Sequence, residues 1–374
     1  MAKVLIVAMS SYAGMGPYVS EIVNSFLPHD NVFYFFHDFK DLFFKQNIKK
    51  ELHNKSMFVV QHNSAFNKLR YLLAGKYGYE QDILFFCKIN EINIVHFVNG
   101  TVERRIYYQL KMMGIKVIET IHDVRPHESK KAFYKMIRQK IISRRIQKAM
   151  LRVHYLVTNS SYQFDELEKI IPDGKVFYHD FPTLVTDNIV EGKDIPPELL
   201  DNKRPYILFF GRIEQYKGLE LLLKAYVDSI LCEKYGLVIA GKGELPLEKH
   251  NPNILLINRY IKDTEIRYLY EHAICVVYPY ISATQSGVLS LSFYFGTPTL
   301  ASDIPFFKSI IGNNKNGYLF RSGDLQDLKE KLIKLLESDT ICLSRNAKEY
   351  YASHYQKDKL RLQLLDIYNN IIKD

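Results

Sequence analysis

The chain has 374 residues, 47% of them hydrophobic, and a formal net charge of +9, a length that favours two domains over one core. No apolar stretch reaches the roughly 18 residues that a membrane span needs. The cysteines Cys87, Cys232, Cys275 and Cys342 form no CxxC pair, so neither a zinc site nor a disulfide framework is indicated, and a globular protein of a reducing cytoplasm is expected.

Val4–Met9 is too short for the apolar region of a signal peptide, and it runs through the glycine turn Ser10–Pro17 into a helical pattern at Tyr18–Leu27. Lys3–Met9 therefore reads as a first buried strand. Further strands are expected at Asn31–Phe36, Met57–Gln61, Ile94–Val98, Lys116–Thr120 and Tyr155–Thr158. Helical patterns at Ala65–Leu73, Asp82–Ile89 and Glu103–Met112 lie between them. Such alternation predicts a parallel sheet with helices on both faces. Gly14 and Gly16 allow close approach of backbone to a ligand, but GxG here lacks the third glycine and the acidic residue of a nicotinamide fingerprint. His96 either lines the end of its strand or is buried in the sheet.

The charge has one location. Lys130–Arg152 holds nine Lys or Arg and no acidic residue, which accounts for the whole net excess. Its apolar positions fall on two faces, Phe133, Ile137 and Ile141 on one and Ile142, Ile146, Met150 and Val153 on the other, so a break is expected near Ser143. Two readings stand. Both stripes dock on the first domain and leave the charge in water, or Lys135, Arg138, Arg144, Arg145 and Lys148 attach to an anionic leaflet, at about 1 kcal/mol per cation. No nucleic-acid motif accompanies the charge.

Between Pro182 and Pro205 the chain is polar and proline-rich, which places a linker at 184–205. The expected organisation is a first domain at 1–183, a second at 206–350, and a terminal amphipathic helix within 351–374 that carries Leu360, Leu364, Ile367 and Ile371. In the second domain the apolar run Tyr206–Phe210 ends in Gly211-Arg212-Ile213-Glu214-Gln215-Tyr216-Lys217-Gly218, followed by the helical Leu219–Val227. A strand, a glycine turn and a helix are how open α/β sheets approach a diphosphate. Arg212 supplies a planar fork and Lys217 a point charge, unless the loop is simply solvated surface.

More motifs follow in order: Leu237–Ala240 with Gly241-Lys242-Gly243; Ile254–Ile257 with Asn258-Arg259-Tyr260-Ile261; Ile274–Pro279 with the loop Ser282–Gly287; then Phe295–Ala301 and Asn316–Phe320. Over residues 205–330 this set resembles the nucleotide-sugar half of the retaining GT-B glycosyltransferases of family 4, the group 1 glycosyl transferases. The resemblance implies an α/β chain of two Rossmann-like domains whose parallel sheets face a central cleft, with the terminal helix packed on the first domain.

It also implies site residues. Arg212, Lys217, Gln285, Ser286 and Gly287 would hold the donor diphosphate. Gly211, Gly241, Arg259, Tyr260 and Ile261 would meet the nucleoside by backbone approach or stacking. His122, at the end of Lys116–Asp123, would face the donor sugar as a catalytic residue with Asp123 orienting its ring or the acceptor, and Gly14 and Gly16 would lie near sugar or acceptor. The family mechanism is a front-face displacement in which positioning and fixed cations stabilise the departing diphosphate, at about 3 kcal/mol per donor group. No DxD triplet is present, and a metal reading of His122 with His127 lacks a third ligand, so neither metal nor any cofactor beyond the nucleotide sugar is expected.

One departure is plain. The family's paired glutamates correspond to Ala283 and Leu291, so this chain falls in a subgroup without them, and Ser290, Ser292 and Gln285 are the polar candidates for the ribose. The expected activity is transfer of a hexosyl-type group from a nucleotide-diphosphate sugar, UDP or GDP favoured, to a glycan or lipid-linked acceptor in cell-surface polysaccharide synthesis. The expected place is the cytoplasm, peripheral at the inner face of the membrane. The rivals are a nucleotide-sugar epimerase of the same fold and a silent nucleotide-sugar-binding partner protein.

Overall fold

Strands without a polar residue are stable only where both faces are covered. In the computed structural model this holds for β1 (Val4–Ala8): Val4, Ile6 and Ala8 enter one hydrophobic cluster, and Leu5 and Val7 enter another on the opposite face. It holds again for β8 (Tyr206–Phe210), where Tyr206, Leu208 and Phe210 face one cluster and Ile207 and Phe209 the other. A period of two has split each run between two helical layers.

The structure describes residues 2–11, 14–38, 42–60, 79–99, 104–122, 153, 155–171, 175–244, 251–283, 286–312 and 315–374. The expected helix Ala65–Leu73, Asp123, His127, Gln285 and the basic segment with Lys135, Arg138, Arg144, Arg145 and Lys148 lie outside the described residues. The described residues form two compact units, one from residues up to Pro182 together with Lys357–Asp374, the other from Thr183–Gln356.

In the first unit, β1 is joined by β2 (Val32–Asp38), β3 (Ser56–Val60), β4 (Ile94–Asn99), β5 (Lys116–Thr120), β6 (Tyr155–Thr158) and β7 (Lys175–Tyr178). Among the described residues these make a seven-stranded sheet of order β3-β2-β1-β4-β5-β6-β7, every pair parallel. β7 was not expected: Lys-Val-Phe-Tyr is short and lies at the sheet edge, where the hydrophobic pattern is weak. The first helix begins at Met15, earlier than the expected Tyr18, so Gly16 belongs to its first turn.

The helix Lys357–Lys373 completes this unit. Leu360, Leu364, Ile367, Tyr368 and Ile371 join the cluster of β1 and the helix Met15–Ser25, each fully buried apolar side chain contributing roughly 1.5–3 kcal/mol. Arg361 adds a two-pronged bond to the buried carboxylate of Asp30, Nε to Oδ2 at 2.7 Å.

The second unit adds β9 (Gly236–Ala240), β10 (Ile254–Ile257), β11 (Ala273–Tyr278), β12 (Thr299–Ser302) and β13 (Tyr318–Phe320) to β8. Their order is β10-β9-β8-β11-β12-β13, again parallel throughout. The stretch expected as a linker is part of this unit's core. Val185, Ile189 and Leu199 are buried with Tyr206 and Ile266, and the side chain of Thr186 caps the short helix Asp187–Glu191 by accepting from Ile189 N. Its prolines flag breaks in helix, not a lack of packing.

Candidate active site

In each sheet the strand order reverses once, between β1 and β4 and between β8 and β11. Loops leaving the carboxyl ends of those two strands diverge and leave room for a ligand there.

At the second switch point the turn after β8 is set by three glycines. Gly211 has φ of +127°, Gly241 +152° and Gly218 +65°, all in the region closed to most side chains. A Cβ at Gly241 would strike the carbonyl oxygen of Gly211 at 1.9 Å, and one at Gly218 would strike that of Pro279 at 1.9 Å. The turns after β8 and β9 are thus pressed together, with Ile213 paired to Gly243 in a parallel bridge. The Asn258 side chain locks them to the exit of β10: Gly243 N donates to Oδ1 at 3.0 Å and Nδ2 donates to Gly243 O at 2.9 Å. Asn258 carried no sequence signal, because only the fold brings it to Gly243.

Lys217 lies under this turn, 7% exposed. Its Nζ donates to the phenol oxygen of Tyr280 at 2.7 Å, 4.5 Å from that ring's centre, and a Cβ on Gly211 would come within 3.0 Å of it. Burial, aided by the nearby Arg212 charge, holds the Lys217 ammonium below the usual lysine range. Tyr280 is fully buried, is also bonded to the Ser286 side chain, and is pushed upward by burial. The fold therefore joins Lys217, Gly211, Tyr280 and Ser286. Tyr280 is the residue that sequence reasoning missed. Arg212 is exposed on the same turn and is ion-paired to Glu214 at 2.6 Å.

Gly287 precedes the helix Val288–Phe295 and has ordinary φ, but a Cβ there would meet Leu184 at 2.4 Å, so it is a packing glycine. The ribose candidates are corrected. Ser290 is fully buried, accepts from Leu184 N and donates to Gly287 O. Ser292 is fully buried as well, donating to Leu289 O and accepting from Tyr278. Leu291 is core, and Ala283 packs against the same cluster.

The nucleoside group separates too. The Arg259 guanidinium is clamped between two carboxylates, with Glu198 on Nε and Nη2 at 2.9 Å each and Glu265 on Nη1 at 2.7 Å and Nη2 at 2.9 Å. These bonds raise its already high basicity and fix the guanidinium in place. Ile261 is buried in the core, whereas Tyr260 is 67% exposed.

In the first unit Asn99 bridges the switch point, accepting from Met9 N at 2.6 Å and donating to Ser10 O at 2.7 Å. His122 follows β5. Its Nε2 donates to the Val98 carbonyl at 2.7 Å; Gln163 donates to its carbonyl at 2.7 Å, and the Tyr18 ring packs edge-on at 4.9 Å. His96 is a core residue, sealed between the Tyr368 hydroxyl and Thr120 Oγ1 at 2.8 Å each, with burial driving it down to about 3. Gly16 packs against the Phe43 ring, where a Cβ would come to 2.6 Å, while Gly14 has open space beside it. Among the described residues no group of His, Cys, Asp and Glu could hold a metal ion.

Residues 191–354 match the family Glycosyl transferases group 1. The matched stretch contains the β8 turn, Lys217 and Tyr280. An uncharacterized glycosyltransferase of Methanocaldococcus jannaschii is 28% identical over 219 residues, 55% of this chain, and the chain spans about half the length of that relative, 54%. Among solved structures, a sucrose-phosphate synthase from Thermosynechococcus elongatus superposes with a TM-score of 0.71 at 13% identity, covering 100% of both chains. HepE of Anabaena, in complex with UDP and glucose, gives 0.69 at 14% identity over 99% of this chain and 100% of that one. At these identities the likeness establishes the fold, and the fold is GT-B: two Rossmann-like α/β units with parallel sheets.

Proposed function

We propose that the protein is a retaining glycosyltransferase that moves a hexosyl-type group from a nucleoside diphosphate sugar, UDP or GDP favoured, to a glycan or lipid-linked saccharide. The observation that carries this reading is Lys217, buried beneath Gly211 at the switch point and oriented by Tyr280, with Arg212 on the same turn. A leaving diphosphate gains charge as the glycosidic bond breaks, and preorganised cations stabilise that charge more than the ground state. The complexes of HepE with UDP and glucose and of TarM of S. aureus with UDP are the binding precedent among the structural neighbours.

Arg212 would leave Glu214 to chelate phosphate oxygens, and Lys217 would neutralise the inner phosphate. His122, whose Nε2 donates to Val98 O, and its sequence neighbour Asp123 remain the catalytic candidates that the family resemblance implies. Neither metal nor a further cofactor is required by this scheme, because the cations take the metal's electrostatic role. The family 4 assignment, a role in surface polysaccharide, a cytoplasmic location and attachment at the inner membrane face belong to the same proposal.

The test is calorimetry of UDP, GDP, ADP, CMP and dTDP and their common sugars, with and without magnesium, followed by transfer to glycan acceptors. One preferred diphosphate, unaffected by metal and lost by at least a hundredfold in Lys217→Ala, supports the reading. Formation of an epimeric sugar without acceptor would point to an epimerase, and binding without turnover to a partner protein. Unchanged turnover in both Arg212→Ala and Lys217→Ala would remove the diphosphate site.

A further inference from the structure

Helical serines in this chain satisfy their own backbone: Ser25, Ser290, Ser292 and Ser309 each donate to the carbonyl three residues back. Ser302, the last residue of β12, does something else. It is fully buried and reaches 22 positions along the sequence, donating from Oγ to the carbonyl of Tyr280 at 2.6 Å. Ser322, which follows β13, brings a second hydroxyl to the same carbonyl at 3.3 Å.

That carbonyl is where the chain needs an anchor. The ladder between β11 and β12 ends at Tyr278, paired with Ala301, and Pro279 has no N–H with which to extend it. Tyr280 therefore lies beyond the regular sheet, yet its phenol oxygen accepts from Lys217 Nζ at 2.7 Å. One residue on, Ile281 N donates to Tyr216 O at 2.7 Å, which ties this loop to the turn that holds Lys217. The support behind Tyr280 is itself braced: Asp303 N donates to Phe320 O at 2.7 Å, and Ser322 N donates to Asp303 Oδ1 at 2.9 Å, so the exits of β12 and β13 are joined. Ser302 is the buried part of that support, where water does not compete for the bond.

We propose that Ser302 is a positioning residue for the diphosphate lysine: by holding the Tyr280 carbonyl it fixes the phenol, and the phenol fixes Lys217. A cation that meets phosphate gains from having its position set before the ligand arrives, because no ordering cost is left for the moment of binding. A hydroxyl bonded to a backbone carbonyl sets that position without bringing a charge that would compete with the phosphate. The inference rests on the sugar-transfer reading, in which Lys217 neutralises a phosphate, and it extends the support of the site from β8 and β11 to β12.

Calorimetry of UDP, GDP, ADP and dTDP with the full chain decides it, on the wild type, Ser302→Ala, Tyr280→Phe and the double variant. We expect Ser302→Ala to weaken binding of the preferred diphosphate about three- to tenfold, the worth of one hydrogen bond. In the Tyr280→Phe background the same change should add little, because both substitutions release the same lysine. Ser302→Cys fills nearly the same space with a weak donor and should lose affinity as alanine does; it stands in for the alanine variant if that one does not fold. A role in stability alone would lower the melting temperature and leave affinity untouched, so wild-type affinity in Ser302→Ala or Ser302→Cys overturns the proposal. A loss that adds in full to that of Tyr280→Phe overturns it too. A wild-type protein that binds none of the four nucleotides removes the sugar-transfer reading itself and this role with it, whereas wild-type binding that survives loss of the Ser302 hydroxyl removes this role alone.

Discussion

The ammonium of Lys217 and the phenol oxygen of Tyr280 are 2.7 Å apart although the residues are 63 positions apart in sequence. They meet because β8 and β11 are neighbours in the sheet, so the turn after one strand lies beside the loop after the other. A buried cation needs a partner in the absence of ligand, and the phenol supplies one without the full negative charge that would compete with a phosphate.

Tyr280→Phe removes that partner and leaves the packing nearly unchanged. We expect stability to fall by about 1–3 kcal/mol and nucleoside diphosphate affinity to fall roughly tenfold, because Lys217 loses its fixed position. Urea unfolding and calorimetry on the same samples measure both. Wild-type affinity in the phenylalanine variant would show that Lys217 is positioned by other groups.

Gly211→Ala places a methyl group against Lys217 at a φ of +127°. The backbone cost is of the order of 1–3 kcal/mol, and the lysine is displaced from the turn. A lower melting temperature together with lost nucleotide binding is the expected pair of results. A shift in only one of them would separate the strain from the site.

Leu291→Glu would restore a carboxylate that the resembling family carries. Here the position is core, so the charge is buried without a partner, and the variant is expected to lose several kcal/mol and gain no ribose contact. Unfolding curves at neutral pH test this. A stable variant with tighter nucleotide binding would show that the helix Val288–Phe295 presents this side chain to ligand.

His96 and His179 set the acid limit of the first unit. Burial depresses them to about 3 and about 4, against an unfolded value near 6.5. Both are neutral in the fold, so their contribution to stability is complete above pH 6.5 and is lost as pH falls toward 4 and then 3. The loss approaches 1.4 kcal/mol per pH unit for each histidine over that window. His179 Nδ1 donates to Asp180 O at 2.8 Å, while its buried Nε2 has no partner among the described residues, so His179→Asn should move the acid transition to lower pH. Equal transitions, followed by circular dichroism, would place the acid sensitivity elsewhere.

The periodicity of the chain determined the layers. Short apolar runs separated by helical patterns have one stable arrangement, a parallel sheet covered on both faces, and β1, β4, β5, β6, β8 and β10 fall where those runs lie. The glycine turn after β8 was equally legible, since a glycine and two cations at a strand's carboxyl end point to an anion before any contact is known. Arg259 and Arg212 could not be told apart by sequence. Both follow strands, yet one is clamped by Glu198 and Glu265 from distant segments and the other is exposed. Ser290 and Ser292 looked available because hydroxyls are polar, but in a buried helix they satisfy nearby backbone carbonyls. Tyr280 and Asn258 gave no local signal, because their partners lie across the sheet or in another turn. Local chemistry is written in the order of residues, while the identity of the partner that each polar group meets depends on strand order, which only the tertiary structure decides.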